Sequence, residues 1–437
     1  MWTVPFIFLV AAVTSYVLVP TETSLVLSEF PVNKTSVSAL FTILSVVTFI
    51  RDFMEHRQKP PREIEKTSPP STAQPQTSTP LPPKRCMRGV IIQSYGEDSI
   101  SVSNEVARPE VTYVDEVLVR VHAASVNPLD IKISTGIGQE LCNSMRSMKG
   151  MPAGGGREFP IILGRDFSGV VERVGSKVTK FKVGDEVWAT LPFYHREGSM
   201  GDYIVVTEEF LSKKPRNISH EEAAALPNVG TCVWCSLVLT AVIGSKRTKQ
   251  QRVLITGGTG GVGTFATQLI KAWGGHVTAT CQDAHGVKLL SDLGADYVIN
   301  ISEVDLETSL IDKPKFDVII DTVGPSVRQA CFKLCDKKSF FVSMVSPSLE
   351  NADKYGVMVG AFLTNFSKMK QSWANRCDFR WGFTLPEGKI LDRITKYVEA
   401  KKIKPVIDQV YKVEEAKKAF RHVETGPTKG KTVVTFE

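Results

Sequence analysis

The chain opens with an apolar stretch. Residues 2–20 carry no charge, and as a helix rising about 1.5 Å per residue they would cover close to the ~30 Å hydrocarbon core of a bilayer. A second uncharged run, residues 35–50, would reach only about 24 Å by the same rise, which is short for a span. Arg51, Arg57, Lys59 and Arg62 follow it, so the positive-inside rule puts what comes next on the cytosolic or matrix side. Residues 1–58 are therefore expected to form a membrane anchor of one or two hydrophobic spans. A cleaved signal peptide fits less well, because no basic n-region or clear small-residue cleavage site is present. An Arg-rich transit peptide is opposed by the absence of arginine from residues 2–20. Residues 59–83 are rich in Pro, Ser, Thr and Gln with little to bury, the pattern of an extended or disordered tether.

From Cys86 the pattern changes to short β-type runs separated by turn residues, such as residues 116–121, 169–174 and 186–190. That alternation predicts a compact, strongly bent β domain over 84–218. A Met- and Gly-rich insert at 141–157 is expected to be a mobile loop. Helical and strand patterns then alternate from Ser219 as in a doubly wound sheet. At its centre an apolar strand, Val253-Leu254-Ile255-Thr256, enters a cluster of five glycines and continues into a helical pattern. Gly258 allows the turn, Gly260 lets backbone approach a pyrophosphate, and Gly263 lets helix and strand pack closely. With Thr259, Gly261 and Val262 they form the strand, turn and helix start of a dinucleotide-binding unit. After Asp353 the pattern is harder to place, ending in a helix-like 413–423 and a strand at 431–436.

Composition narrows the class without deciding it. The 437 residues are 42% hydrophobic and 23% charged, enough for two or three domains with large cores. The net charge of +7 is spread out with no long basic block, which argues against nucleic-acid binding. Eight cysteines in so long a chain do not make a disulfide framework and suit a reducing compartment. Cys232 and Cys235 form a CxxC in an apolar helical stretch without a second pair at zinc spacing, so they are expected to pack as small hydrophobes. Cys331 and Cys335, one helical turn apart, are read the same way.

Four ordered motifs carry a resemblance. They are Val121-His122-Ala123-Ala124-Ser125-Val126-Asn127-Pro128-Leu129-Asp130, Leu163-Gly164-Arg165-Asp166-Phe167-Ser168-Gly169, Lys182-Val183-Gly184-Asp185-Glu186-Val187, and the glycine loop. Together they resemble the quinone-oxidoreductase branch of the medium-chain dehydrogenase/reductase superfamily, over about residues 87–437. Gly164-Arg165-Asp166, Lys271-Ala272-Trp273 and Arg380-Trp381 are similar to its mitochondrial, reticulon-interacting NADPH oxidoreductases. The resemblance implies an α/β chain: a chaperonin-10-like β-rich catalytic domain (84–218), a Rossmann doubly wound parallel sheet (219–352), and a return segment completing the catalytic domain (353–437). It implies mitochondria, a link to quinone or ubiquinone metabolism, and NADPH. It also admits a homodimer and a membrane-protein partner. The apolar N-terminus departs from it.

Further site residues follow from that resemblance. Zinc-dependent relatives place Cys and a His–Glu pair where this chain has Asn127 and Arg165-Asp166, so no metal site is expected. Gln282 stands at the end of the second strand where the family often has Ser, and Lys288 on the next helix offers charge for a 2′-phosphate, favouring NADPH over NADH. The family's Tyr after the next strand is replaced by Ile301. Thr322 matches a residue near the ribose, and Met344 and Phe383 match positions beside the nicotinamide. Pro427, Thr428 and Lys429 match a segment that reaches the cofactor.

Without a metal, the chemistry that fits is hydride transfer to a quinone or other α,β-unsaturated carbonyl. The enolate so formed needs a donor near its oxygen. Asn127 and Tyr203 are the candidates, with a strand-packing role the simpler reading of Tyr203. The alternative is an NADPH-binding scaffold or redox sensor with little turnover.

Overall fold

The computed structural model describes residues 63–65, 86–148, 159–195 and 197–437. The expected anchor and most of the tether lie outside the described residues. Glu63–Glu65 of the expected tether are instead held: Ile64 bridges Tyr113, the Glu65 N–H donates to Thr112 O at 2.8 Å, and the Glu65 carboxylate accepts from Ser176. Three polar-flanked residues were enough to pair with an edge, a signal that composition alone does not carry.

The catalytic domain is organised on the eleven-residue strand Glu116–Val126, whose Val and Ala residues are buried on both faces. It pairs antiparallel with Asp166–Val174, Tyr203–Thr207 and Lys431–Thr435. The seven-stranded sheet runs Ile407–Lys412, Lys431–Thr435, Glu116–Val126, Asp166–Val174, Glu186–Thr190, Leu211–Lys213, with Tyr203–Thr207 beside the long strand. Register shifts near Val119 and Ala123 bend the long strand, as extra residues in one strand of a pair do. A second, three-stranded sheet places Cys86–Ile92 between Ile100–Ala107 and Ile161–Ile162. The core between them, including Val119, Val121, Phe167, Val171 and Phe420, is closed by the C-terminal helix Ala416–Thr425.

The Rossmann domain has a six-stranded, wholly parallel sheet. Its spatial order is Tyr297–Asn300, His276–Cys281, Arg252–Thr256, Val318–Asp321, Phe340–Ser343, Asp378–Trp381. Strand direction of winding therefore reverses between Arg252–Thr256 and Val318–Asp321, and ligands of such sheets sit outside the carboxyl ends at that switch point. Val253, Leu254 and Ile255 are all fully buried, as a central parallel strand covered on both faces requires. The apolar stretch His220–Thr240 is long enough to cross a membrane, but it is 78% buried and serves as a core element beneath this sheet.

Two boundaries differ from the sequence reading. The Rossmann unit does not stop near 352: Asp378–Trp381 is its sixth strand, and Ile390, Leu391, Ile394 and Val398 of helix Gly388–Glu399 pack in its core. The sixth strand has only four residues, two of them charged, so no apolar run announced it. The return to the catalytic sheet begins at Ile407. Of the insert expected to be a loop, Gln139–Met148 is helical, with Cys142 on its buried side.

Candidate functional site

The strand Arg252–Thr256 ends in Gly257, whose φ of 64° favours glycine. The Gly258 N–H donates to Thr280 O at 2.8 Å and the Gly257 N–H to Thr280 Oγ1 at 3.1 Å, tying the turn to the neighbouring strand. A methyl on Gly263 would lie 2.5 Å from Gly258 Cα, so the helix and the glycine turn meet backbone to backbone. A methyl on Gly260 would meet only Gly257 O, at 3.7 Å; that side of the loop is open. Helix Gly261–Ala272 starts from Gly260, which supplies no side-chain cap. Its first-turn N–H groups are therefore left to solvent or to an anion, with the positive end of the helix dipole behind them. These features fit a dinucleotide pyrophosphate.

Other segments close around this turn. The Thr322 hydroxyl donates to Thr256 O at 2.7 Å and would lie 2.4 Å from a methyl on Gly257. Beneath it the buried Asp321 carboxylate accepts from Thr256 Oγ1, Gly324 N–H and Ser343 Oγ, and so fixes three strand ends at the switch point. The catalytic domain reaches across at Gly430, which forms a backbone bridge with Gly260 and has φ 113°. The side chain of Thr259 lies against Gly286 of the next helix.

At the second-strand end Gln282 is exposed, and its carbonyl accepts from Ser302 Oγ at 2.8 Å. Lys288 is exposed too, but it forms an ion pair with Asp292 four residues on, at 2.6 Å. The cation at this strand end is Lys429, whose Nζ is 3.0 Å from Asp283 Oδ2. The other Asp283 oxygen caps the following helix through the Gly286 N–H at 2.6 Å. That backbone bond and Lys429 hold the Asp283 carboxyl below its ordinary range. Pro427 is exposed and Thr428 half-buried just before Lys429. Ile301 packs on the hydrophobic layer around Ile299 and Phe316.

On the far side of the glycine loop the Met344 N–H donates to Asp321 O at 2.8 Å. The Met344 sulfur lies 3.3 Å from Ser236 Oγ and 3.7 Å from Cys232 Sγ. Ser236 sits in the π-helical turn Cys235–Thr240 that extends helix Pro227–Trp234. Gly382 is pressed against the same sulfur, and the exposed Phe383 follows it. Burial pushes both CxxC thiols up, Cys235 to about 12; thiols held in that protonated form are poor nucleophiles.

Asn127 is buried inside a polar cluster. Its amide nitrogen donates to Asp166 Oδ1 at 3.0 Å, and its Oδ1 accepts from Lys431 Nζ at 2.7 Å. Its backbone N–H is held by Asp130 Oδ2 at 2.8 Å. Lys431 also donates to Val126 O, and its methylenes fill the space against Gly261. Burial pushes the carboxyls up, Asp130 to about 6, and pushes Lys431 and Arg165 down; the opposite charges offset part of each shift. Tyr203 is elsewhere. Its ring lies under the Arg108 guanidinium at 3.8 Å, among Met87, Ile91 and Val106.

Sequence reasoning missed Lys431, Gly430, Asp283 and Asp130. Lys431 carried a signal, a lysine leading an otherwise apolar strand, since a buried lysine needs partners. Gly430 depends on a chain crossing that no local pattern reports, whereas Asp130 and Asp283 each lie three residues from the N–H they hold, those of Asn127 and Gly286, which is a local capping spacing.

The comparisons with known proteins fit this geometry. Residues 114–216 match the "Alcohol dehydrogenase GroES-like domain" family and residues 293–434 the "Zinc-binding dehydrogenase" family. The human mitochondrial NAD(P)H oxidoreductase RTN4IP1 is 38% identical over 386 residues, covering 86% of this chain and 93% of that one. The zebrafish (Danio rerio) protein of the same name is 38% identical over 352 residues, covering 79% of this chain and 90% of that one. The chain belongs to this family. Among solved structures, the quinone oxidoreductase from Coxiella burnetii superposes with a TM-score of 0.65 at 25% identity, covering 80% of this chain and 99% of that one. The model named for zinc binding matches residues 293–434, and the positions where a Cys and a His–Glu pair would stand in zinc-dependent relatives lie outside that match. Asn127, Arg165 and Asp166 offer one carboxylate beside a buried guanidinium, not a Cys/His set. Among the described residues no group of three His, Cys, Asp or Glu is placed to hold a metal.

Proposed function

We propose that this chain is a zinc-independent, NADPH-dependent oxidoreductase of quinones or other α,β-unsaturated carbonyls. The observation that carries the reading is the open face at Gly260 above an uncapped helix start, with Gly430 of the other domain bridged to it. NADPH, when bound, supplies a hydride equivalent. The chain's own groups bind and orient. The first-turn amides of Gly261, Val262 and Gly263 take the pyrophosphate, with Gly258, Thr259 and Gly260 shaping the turn. With NADPH bound, Thr322 would be beside the ribose and Met344 and Phe383 beside the nicotinamide, and Gln282 with Lys429 would hold the 2′-phosphate. Asn127 acts as a positioning residue, holding Lys431 against Gly261. Solvent returns the last proton.

Two uncharged N-terminal runs and the mitochondrial labels of the relatives support a mitochondrial, membrane-anchored protein with its body on the matrix or cytosolic side. One relative is named reticulon-4-interacting protein 1, which supports a membrane-protein partner. A homodimer and a link to ubiquinone metabolism belong to the same reading. One observation favours the scaffold alternative: the Asn127 amide is already committed to Asp166. Titrating the full chain in detergent with NADPH and NADH tests the cofactor assignment. Selective NADPH binding is expected, and equal affinity for the two would refute the roles given to Gln282 and Lys429.

A further inference from the structure

Helix Val357–Asn375 is inside out. Taking about 100° per residue, Met358, Phe362, Phe366, Met369 and Trp373 fall within about 80° of one another. All five face solvent, Trp373 at 85% exposure, Met358 at 81% and Phe362 at 67%. The opposite face carries the two buried residues, Gly360 and Thr364, neither of them large. Gly360 packs against the backbone of Asn351 and Ala352, and Thr364 accepts a hydrogen bond from Asn351 at 2.9 Å and through its carbonyl one from the Trp381 indole. A globular core selects the reverse arrangement, large apolar groups inward and polar groups outward. A contiguous exposed stripe of this kind marks an interaction surface.

Charge decides between occupants. The nineteen-residue helix contains no Asp or Glu. Lys370 on it, and Lys354 and Arg376 at its two ends, are all exposed. A second copy meeting this face about a two-fold axis would set the same cations against each other. An anionic lipid surface would meet them with the opposite sign. Apolar residues with a tryptophan on one side and lysines beside them form the pattern of a helix lying in the plane of a membrane interface. The same chain carries two uncharged apolar runs within its first fifty residues, and these would keep its body close to such a surface.

We infer that helix Val357–Asn375 is a second membrane contact, seated in the headgroup–acyl boundary of an anionic bilayer. The helix adjoins the cleft. The Trp381 indole is bonded to its backbone, and Gly382 and Phe383 follow Trp381 beside Met344.

The test uses the full chain in vesicles of phosphatidylcholine and phosphatidylglycerol, with and without bromine on the acyl chains. The emission difference between wild type and Trp373→Phe isolates this one tryptophan from the other five. Blue-shifted difference emission that is lost on bromination is expected. The double variant Phe366→Asp, Met369→Asp alters only exposed positions, and it should abolish the quenching while NADPH binding persists. Difference emission indifferent to bromine, or quenching that survives the double variant, overturns the inference. So does a chain that is dimeric in detergent and becomes monomeric with Phe366→Asp, since that assigns the stripe to a second copy.

Discussion

Two alanine substitutions three residues apart should separate folding from cofactor binding. At Gly263 the new methyl would sit 2.5 Å from both Cα and O of Gly258 and 2.6 Å from Gly257 O. Carbon atoms pack best at about 3.5–4.0 Å, so the loop and helix would have to part by roughly 1 Å. Overpacking of this kind costs about 1–3 kcal/mol, and backbone on both sides of the clash places Gly263→Ala towards the upper end. At Gly260 the backbone has φ −68° and ψ 171°, open to any residue, and the methyl would meet only Gly257 O at 3.7 Å. Gly260→Ala should therefore fold as well as wild type, or gain about 0.4–1 kcal/mol from a stiffer unfolded chain. Its methyl would stand where the pyrophosphate is expected. A loss of about ten- to a hundredfold in NADPH affinity, roughly 1.4–2.7 kcal/mol, should follow. Thermal melting without nucleotide and calorimetric titration with NADPH read the two effects. Wild-type affinity in a folded Gly260→Ala variant would refute the placement of the pyrophosphate.

Lys429→Ala should reduce NADPH affinity about tenfold, the effect of losing one charge-assisted bond, and leave NADH affinity unchanged. Lys288→Ala, which removes only a surface pair, should change neither; titration of both variants with both nucleotides checks this. A buried carboxyl and a half-buried imidazole should give pH slopes of opposite sign. Asp130 has its carboxyl raised to about 6 by burial, so its contribution is full below about 4 and is lost as pH rises through about 6, on the order of 3 kcal/mol at most. His220, bonded to Ser168 and stacked on His122, is held neutral by burial with its pKa lowered to about 4. Its contribution is full above about 6.5 and is lost as pH falls towards 4. Urea unfolding from pH 4 to 7 should show a flatter decline with rising pH in Asp130→Asn, and a flatter decline with falling pH in His220→Asn.

What was legible in the chain is what is local. The glycine loop could be read because each glycine answers a steric demand set by residues a few places away, and Gly263 meets Gly258 as that logic requires. The long buried strands of both sheets showed as apolar runs. The polar cluster could not be read, because Lys431 reaches Asn127 across 304 positions. Nothing in either neighbourhood reports that crossing. Lys288 shows the converse: it pairs with Asp292 four residues on, while the cation beside the second-strand end comes from the returning chain. The sixth Rossmann strand was hidden by its brevity and by Asp378 and Arg380, which pair with each other at 2.6 Å. Composition marks the insert as a loop and the tether as extended, while Gln139–Met148 is helical and Glu63–Glu65 pair with an edge, which composition does not record.

Passage of hydride from NADPH to an electron-poor acceptor held in this cleft can be followed by incubating the full chain with NADPH deuterated at the transferring position and an enone or quinone acceptor, then locating the label by mass spectrometry. Deuterium on the acceptor's β-carbon, or consumption of labelled NADPH with quinol formation, and loss of both in Gly260→Asp, are the predicted results. Tight NADPH binding with no turnover of any acceptor would contradict the account and leave the chain an NADPH-dependent scaffold.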